Sequence, residues 1–318
     1  MKQMIFMASA MLLLLSACYS SEEMEERNLS SNVKVQFHIQ PIAEISNFPS
    51  TKSIPDGTPA EPGYTKGGGE GQETNPVDNS TLFSHIEFFV YSEASELLHS
   101  ESYSKAGGDD DFGAYINTSL APGTYTVCFL AHSDNSVTKE GNVVSFTKIG
   151  DSYYAKVNFT ISPNDENFSK EVTLNRIVAK VEFVSTDYVP SYITGFQIDV
   201  TGQYHKFNML NGSAESATTT LTLSPAIESA HHVTTFRGTH EFFTFVPSSE
   251  NAKVTTAVLK SLKEGTAVRT REIKDIPIYV NRITRYTGTL YTPGEIGAQF
   301  ELTVNSDWGL DDNHPLTD

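Results

Sequence analysis

Val33-Lys34-Val35-Gln36-Phe37-His38-Ile39 alternates apolar and polar residues without a break. A period of two puts Val33, Val35, Phe37 and Ile39 on one face and the polar residues on the other, the pattern of a half-buried strand. Outward from it the same period recurs. His85 to Tyr91, Ala114 to Asn117, Tyr125 to Ala131, Val143 to Lys148 and Tyr153 to Ile161 read as strands, and no long stretch shows helical periodicity. Leu120-Ala121-Pro122-Gly123 is a turn feeding the strand that contains Cys128, and Ile149-Gly150-Asp151 is expected to join its two flanking strands as a hairpin. The chain is all-β.

A polar cluster, Ser162-Pro163-Asn164-Asp165-Glu166-Asn167, follows an apparently complete set of strands and is the expected domain boundary. Beyond it Leu174 to Phe183 opens a second series, with Ile177, Ala179, Val181 and Phe183 expected on one face. Ile193 to Val200, Tyr204 to Leu210, Thr218 to Leu223, Glu241 to Val246, Val254 to Leu262 with Ala267 to Ile273, Tyr286 to Tyr291 and Phe300 to Val304 continue it. Two such series imply two β-sandwich domains in tandem, residues 33–165 and 166–318. Residues 41–81, rich in Pro, Gly, Ser and Thr, lack the apolar content to offset their ordering entropy and are expected to form a mobile loop of the first domain.

The N-terminus gives an address. Lys2 is followed by an apolar run from Met4 to Leu15, too short to span a bilayer, and then by Ser16-Ala17-Cys18. Residues 1–17 read as a signal peptide cut between Ala17 and Cys18. Leu15-Ser16-Ala17-Cys18 resembles the lipobox of bacterial lipoproteins, which implies lipidation of Cys18. At about 0.8 kcal/mol per buried methylene, several acyl chains on one cysteine make a lasting anchor. Residues 18–32, with Glu22, Glu23, Glu25 and Glu26, form an acidic tether that resembles the export tag of surface lipoproteins of Bacteroides-type bacteria. A formal net charge of -17 argues against nucleic acid or an anionic membrane surface as partner. With Cys18 lipidated, Cys128 has no disulfide partner in the chain, and its apolar setting reads as a buried inert thiol.

Leu174-Asn175-Arg176-Ile177-Val178-Ala179-Lys180-Val181 is similar to the Leu-x-Arg-x-Val-Ala-Lys-Val segment of the fimbrillin-like lipoproteins, subunits of type V pili in Bacteroides-type bacteria. The His85 to Tyr91 strand, the Leu120 to Tyr125 turn and a late strand ending at Trp308-Gly309 fall in the matching order. The resemblance implies two transthyretin-like β-sandwiches and a lipid-anchored, cell-surface location on the outer membrane. It also implies assembly with other fimbrial subunits into a fimbrium, and adhesion to a host or bacterial surface receptor. Its assembly mechanism is β-strand addition: a subunit loses its N-terminal strand, and a neighbour's terminal segment fills the groove. On this sequence the removable strand is Val33 to Ile39, and the donor is Phe300, Leu302 and Val304 with the tail residues Leu310 and Leu316. The loop offers trypsin-like cut sites only at Lys52 and Lys66. The family's stalk subunits are cut after Arg, whereas no Arg lies between Arg27 and Arg176, which leaves an uncut anchor or accessory subunit open.

Other constellations carry less. Asp109-Asp110-Asp111 lacks the alternating oxygen ligands of a calcium loop. His231-His232 and His240 are not a natural chelate, because adjacent strand residues face opposite ways. Asp187 reads as a turn residue and Trp308 as a core edge. No phosphate loop, nucleophile elbow, zinc helix or paired-carboxylate signature is present, so no catalytic residue, metal ligand or cofactor is expected and the chain does not read as an enzyme. The alternative reading is an outer-surface glycan-binding lipoprotein, in which Trp308 or a surface Tyr would stack on a sugar ring.

Overall fold

The computed structural model describes residues 32–41, 82–108, 111–134, 137–215, 220–247, 252–292 and 301–305. The regular elements among them are strands and one 3-10 turn, Ser229–His231. The chain runs through β1 (Val33–Pro41), β2 (His85–Ser92), β3 (Leu97–Ser104), β4 (Tyr115–Leu120) and β5 (Gly123–His132). It continues with β6 (Val137–Glu140), β7 (Val143–Phe146), β8 (Ser152–Ile161), β9 (Asn167–Arg176) and β10 (Val178–Tyr188). Next come β11 (Gly195–Thr201), β12 (Lys206–Asn208), β13 (Ser213–Glu215) and β14 (Thr220–Leu223). The last five are β15 (Arg237–Phe245), β16 (Lys253–Lys263), β17 (Thr266–Pro277), β18 (Ile283–Gly288) and β19 (Glu301–Asn305).

A seven-stranded sheet has the order β3-β2-β5-β8-β9-β1-β4. It is two walls joined at one narrow seam, since β8 and β9 pair only through Tyr153 with Arg176 and Tyr154 with Asn175. The wall β3-β2-β5-β8 faces the wall β9-β1-β4 across a core containing Phe37, Phe88, Phe129, Phe159 and Val172. Ile86 and Phe88 to Tyr91 are all fully buried, because β2 has apolar partners on both faces, so Phe88 to Tyr91 follow one another without polar alternation, and Glu87 is buried among them.

The second core lies between the sheets β15-β10-β18-β19 and β14-β11-β16-β17. Val181 and Phe183 of β10 and Tyr286 of β18 meet Phe196, Ile198, Val254 and Leu259 there. A third core joins the halves. Phe89, Cys128 and Leu130, on the far face of the first wall, pack with Val144, Phe146, Phe207, Met209, Val178 and Phe245. Above it lies a four-stranded sheet, β13-β12-β7-β6, in which β7 from the first half pairs with β12 from the second, Phe207 opposite Val144.

Three sequence expectations need correcting. The β7 and β8 segments do not form a hairpin: β7 pairs with β6 and β12, and β8 with β5 and β9. Ile149 between them is buried in the third core, so the apolar linker turns inward and sends the two strands to different sheets. The cluster at Ser162–Asn167 does not lead into the second series but connects two strands of the first sheet, because β9 pairs with β1 and places Val172 and Leu174 in the first core. The crossing falls at Ile177, which lies between strands rather than on the face shared by Ala179, Val181 and Phe183.

That crossing is pinned by charge. Arg176 Nε and Nη2 donate to the Asp151 carboxylate at 2.8 and 2.7 Å, Nη2 also reaches the Tyr153 hydroxyl at 2.8 Å, and Nη1 donates to Asn281 Oδ1 at 2.9 Å. Four residues on, buried Lys180 is clamped between Glu182 at 2.8 Å and Glu241 at 2.6 Å, and Glu182 also takes Arg285. A buried charge is tolerated only with such partners.

Candidate functional site: the slot filled by β1

β1 is the middle strand of the three-stranded wall. It runs parallel to β9, with Val35 opposite Phe168, Phe37 opposite Lys170 and Ile39 opposite Val172. It runs antiparallel to β4, with Val35 opposite Thr118 and Phe37 opposite Ile116. Val33, Val35, Phe37 and Ile39 are all buried. The Phe37 ring is the keystone, with its centroid 5.2 Å from Phe129, 5.5 Å from Phe159 and 5.9 Å from Phe88, in tilted and edge-on arrangements that suit aromatic quadrupoles.

The outward face carries polar and ring contacts. Gln36 Nε2 donates to Asn117 Oδ1 at 3.0 Å, and the His38 ring packs edge-on against Tyr115 of β4 at 4.8 Å. The pairing with β4 extends past the strand, where the Ile39 N–H donates to the Ala114 carbonyl at 3.0 Å. Gly113 sets this rim. Its φ of +77° is left-handed, and a Cβ there would lie 2.6 Å from the Phe83 ring, so no other residue fits without displacing a core aromatic.

One topological fact gives the slot its character. Among the described residues, β4 has no strand partner other than β1, whereas β9 also holds β8. Withdrawal of β1 would uncover the first core and leave β4 with no sheet to belong to. Any replacement strand has to serve both β9 and β4 and present apolar side chains at every second position.

The sequence of DUF6562, described as a family of unknown function, is matched by residues 114–316. The chain belongs to the DUF6562 family. The match begins at the residue before β4, so β1 of this DUF6562 chain lies outside it. No curated protein matches the sequence. Among solved structures, a candidate polysaccharide-binding protein (DUF1812) from Bacteroides thetaiotaomicron VPI-5482 aligns with a TM-score of 0.50 at 11% identity, over 87% of the DUF6562 chain and 96% of its own. A candidate adhesin from the same organism aligns at 0.48 and 9% identity, over 88% and 97% of the two chains. The fimbrial anchor protein Mfa2 from Porphyromonas gingivalis aligns at 0.43 and 9%, over 80% and 90%. At these identities the likeness is one of fold.

Of the residues singled out in the sequence, Val33, Val35, Phe37 and Ile39 are brought together in one wall. Leu302 and Val304 lie in β19, the outer strand of its sheet, opposite Tyr286 and Thr284 of β18. Ala17, Cys18, Lys52, Lys66, Asp109, Asp110, Phe300, Trp308, Leu310 and Leu316 lie outside the described residues. Cys128 is fully buried, and desolvation pushes its thiol up to about 11, so it is not a nucleophile at neutral pH. The three histidines serve separate local contacts: His231 stacks on Phe236 at 4.4 Å, His232 Nε2 meets the Ile193 carbonyl oxygen at 2.9 Å, and His240 is buried against Phe196 and Tyr291.

Asp187 does more than its sequence suggested. Its carboxylate accepts the backbone N–H groups of Leu290, Tyr291 and Thr292 at 2.7, 3.0 and 2.6 Å, and the Thr292 hydroxyl at 2.8 Å. The chain leading toward β19 is thereby fixed up to Thr292. A run of Ser, Thr, Asp and Pro looks like any turn, and nothing local in it signals a partner a hundred residues away.

Proposed function

We propose that this protein is a lipid-anchored, cell-surface fimbrial subunit involved in adhesion, and that it assembles by exchange of the strand in the β1 slot. The observation that carries the reading is β1 itself: a central strand with four buried apolar side chains, set between β9 and a β4 that has no other strand partner among the described residues. If β1 is exchanged, the wall is complete only while a strand fills the slot between β9 and β4. The resemblance of Leu174 to Val181 to the fimbrillin-like segment, and of Leu15 to Cys18 to a lipobox, supports the same reading.

Within it, residues 33–176 and 178–305 correspond to two β-sandwich domains of transthyretin-like type, held to one another by the β7–β12 pairing. Other fimbrial subunits are the partners, with Leu302 and Val304 of β19 and the tail beyond as the donor. Lys52 and Lys66 are the positions at which cleavage would free β1, and Cys18 carries the lipid. The candidate polysaccharide-binding protein of similar fold keeps the alternative of glycan recognition at the cell surface in view.

The experiment is N-terminal sequencing of the protein recovered from cells, beside gel analysis of unboiled membranes. A terminus after Lys52 or Lys66 together with a detergent-resistant ladder is expected of a polymerising subunit, and a terminus blocked at Cys18 without a ladder is expected of a retained anchor. Monomers alone, in membranes and after limited trypsin treatment of the purified chain, would refute strand exchange.

A further inference from the structure

The seven-stranded sheet ends at β3, which pairs with β2 and, among the described residues, with no other strand. Seven of its eight side chains are exposed, Tyr103 alone being partly covered. An open edge of this kind presents a row of backbone donors and acceptors to any strand that meets it, and soluble proteins blunt such edges with charge, Pro or very short strands. Other outer strands of this protein are blunted in that way. β17 carries Arg269, Arg271, Glu272 and Lys274, and β15 carries Arg237 and Glu241. β6 has four residues with Lys139 and Glu140 among them, and β13 and β14 have three and four residues. β4 lacks charge but belongs to the β1 slot. β3 is left with eight residues, one carboxylate at Glu101, and no Lys, Arg or Pro. It also opens with Leu97 and Leu98, which are 38% and 54% exposed.

The order of side chains on β3 suits a second copy of itself. When two equal strands meet antiparallel about a two-fold axis, one residue stands opposite its own copy and the residues on either side of it stand opposite one another. With the axis at Ser100, His99 of each chain faces the partner's Glu101, so the complementary pair forms twice, and Leu98 faces the partner's Ser102. An axis at Glu101 would set two carboxylates against each other, and an axis at His99 two imidazoles, and like groups directly opposite are unfavourable. The two side chains already share a face, because His99 is opposite Val90 and Glu101 opposite Phe88 on β2. Within the strand His99 Nε2 lies 3.4 Å from Glu101 Oε2, and the Tyr103 hydroxyl donates to the same oxygen at 2.7 Å, which holds the carboxylate over the strand where a partner's imidazole would meet it.

We propose that β3 is a self-association edge: two copies of this chain pair antiparallel through residues 97–103, with Ser100 facing its own copy, and so join two seven-stranded sheets edge to edge. This edge belongs to the wall opposite the one that holds β1, needs no cleavage, and leaves the β1 slot free in both copies. A single pair of strands buries less than the roughly 1,600 Å² of a standard interface, so the dimer is a reversible one with a dissociation constant on the order of micromolar.

The test is sedimentation velocity of the uncut chain from residue 18 onward, with Cys18→Ser to keep it free of lipid, across about 1 to 500 μM, the range in which such a dimer forms and dissociates. A reversible monomer–dimer equilibrium is expected. Ser100→Lys sets two ammonium groups against each other at the axis and is expected to weaken the dimer by about tenfold or more. Ser100→Cys, mildly oxidised, is expected to give a disulfide-linked dimer, and Ser104→Cys, at the end of the strand and away from its own copy, is not; buried Cys128 stays out of the reaction. Should Ser100→Lys fail to fold, as judged by its melting, the two cysteine variants give the second readout. The proposal is overturned if the chain stays monomeric over the whole range, if folded Ser100→Lys dimerises like the parent, or if the two cysteine variants link equally.

Discussion

Phe37→Ala is the sharpest perturbation of the slot. The side chain is fully buried and touches three aromatic rings from the opposite wall, all within 5.9 Å of its centroid. Truncating such a phenylalanine loses its transfer free energy and leaves a cavity that the surrounding strands only partly close, about 3–5 kcal/mol in all. For a chain of this size each kcal/mol lowers the melting temperature by about 2–4 °C, so a drop on the order of 6–20 °C is expected by differential scanning calorimetry. Gln36→Ala, one residue away on the polar face, removes an exposed side-chain hydrogen bond and should change stability by less than about 0.5 kcal/mol. The same difference governs exchange. A chain beginning at Leu82, offered a synthetic peptide of residues 32–41, should bind it and melt higher. The Phe37→Ala peptide should bind about two to four decades more weakly, the same 3–5 kcal/mol read as a dissociation constant. Equal binding of the two peptides, or a chain that folds as stably without any peptide, would refute the argument that this strand completes the wall.

The remaining expectations concern what holds the frame around the slot. Asp187→Ala strips an acceptor from three backbone N–H groups and a hydroxyl and should cost more than about 2 kcal/mol in urea unfolding, with Asp187→Asn recovering part of it. Asp151→Ala leaves the Arg176 guanidinium buried without its carboxylate and should cost about 3–5 kcal/mol, whereas Lys274→Ala, whose partner Glu272 is exposed, should cost almost nothing. Burial holds His240 down to about 3, so the unfolded chain takes up a proton that the fold refuses. The stability this residue contributes is complete above about pH 6.5 and falls by up to about 1.4 kcal/mol per unit as the pH drops toward 3, a slope that His240→Phe should reduce in denaturation midpoints taken at pH 7, 6 and 5. A second loss belongs to Glu87. Burial alone would raise this carboxyl, but His132, Ser102 and Lys139 outweigh it and bring it to about 2, so its share is present above about 4.5 and lost between there and 2.

Strands with an apolar partner on one face or on both were legible, and strands with none were not. β1 alternates because one face meets the first core and the other meets polar side chains, so its four inward residues could be named from spacing alone. The β16–β17 hairpin was equally readable, with Gly265 at a φ of +81° in its turn. By contrast β3 has exposed side chains along almost its whole length and is held by backbone pairing to β2, so nothing in its composition marks it as a strand. The parallel pairing of β1 with β9 joins segments more than a hundred residues apart, a choice made by the closing of the core and not by any local preference.

The segment from Leu174 to Val181 spans the crossing from the first sheet to the second half of the fold. Its residues serve five different surroundings. Leu174 closes the first core, Arg176 is tied to Asp151 and Asn281, Val178 enters the core shared by the halves, and Ala179 and Val181 begin the second core while Lys180 lies between two glutamates. A residue in the middle of a strand answers to one core and can be exchanged for another of similar volume. A residue at the crossing answers to its own neighbours and also to the direction in which the chain leaves. Replacing Arg176 by an apolar residue would leave Asp151 half-buried and unpaired, and enlarging Ala179 would force β10 away from the second core. The motif is therefore a constraint of the crossing, independent of what fills the β1 slot.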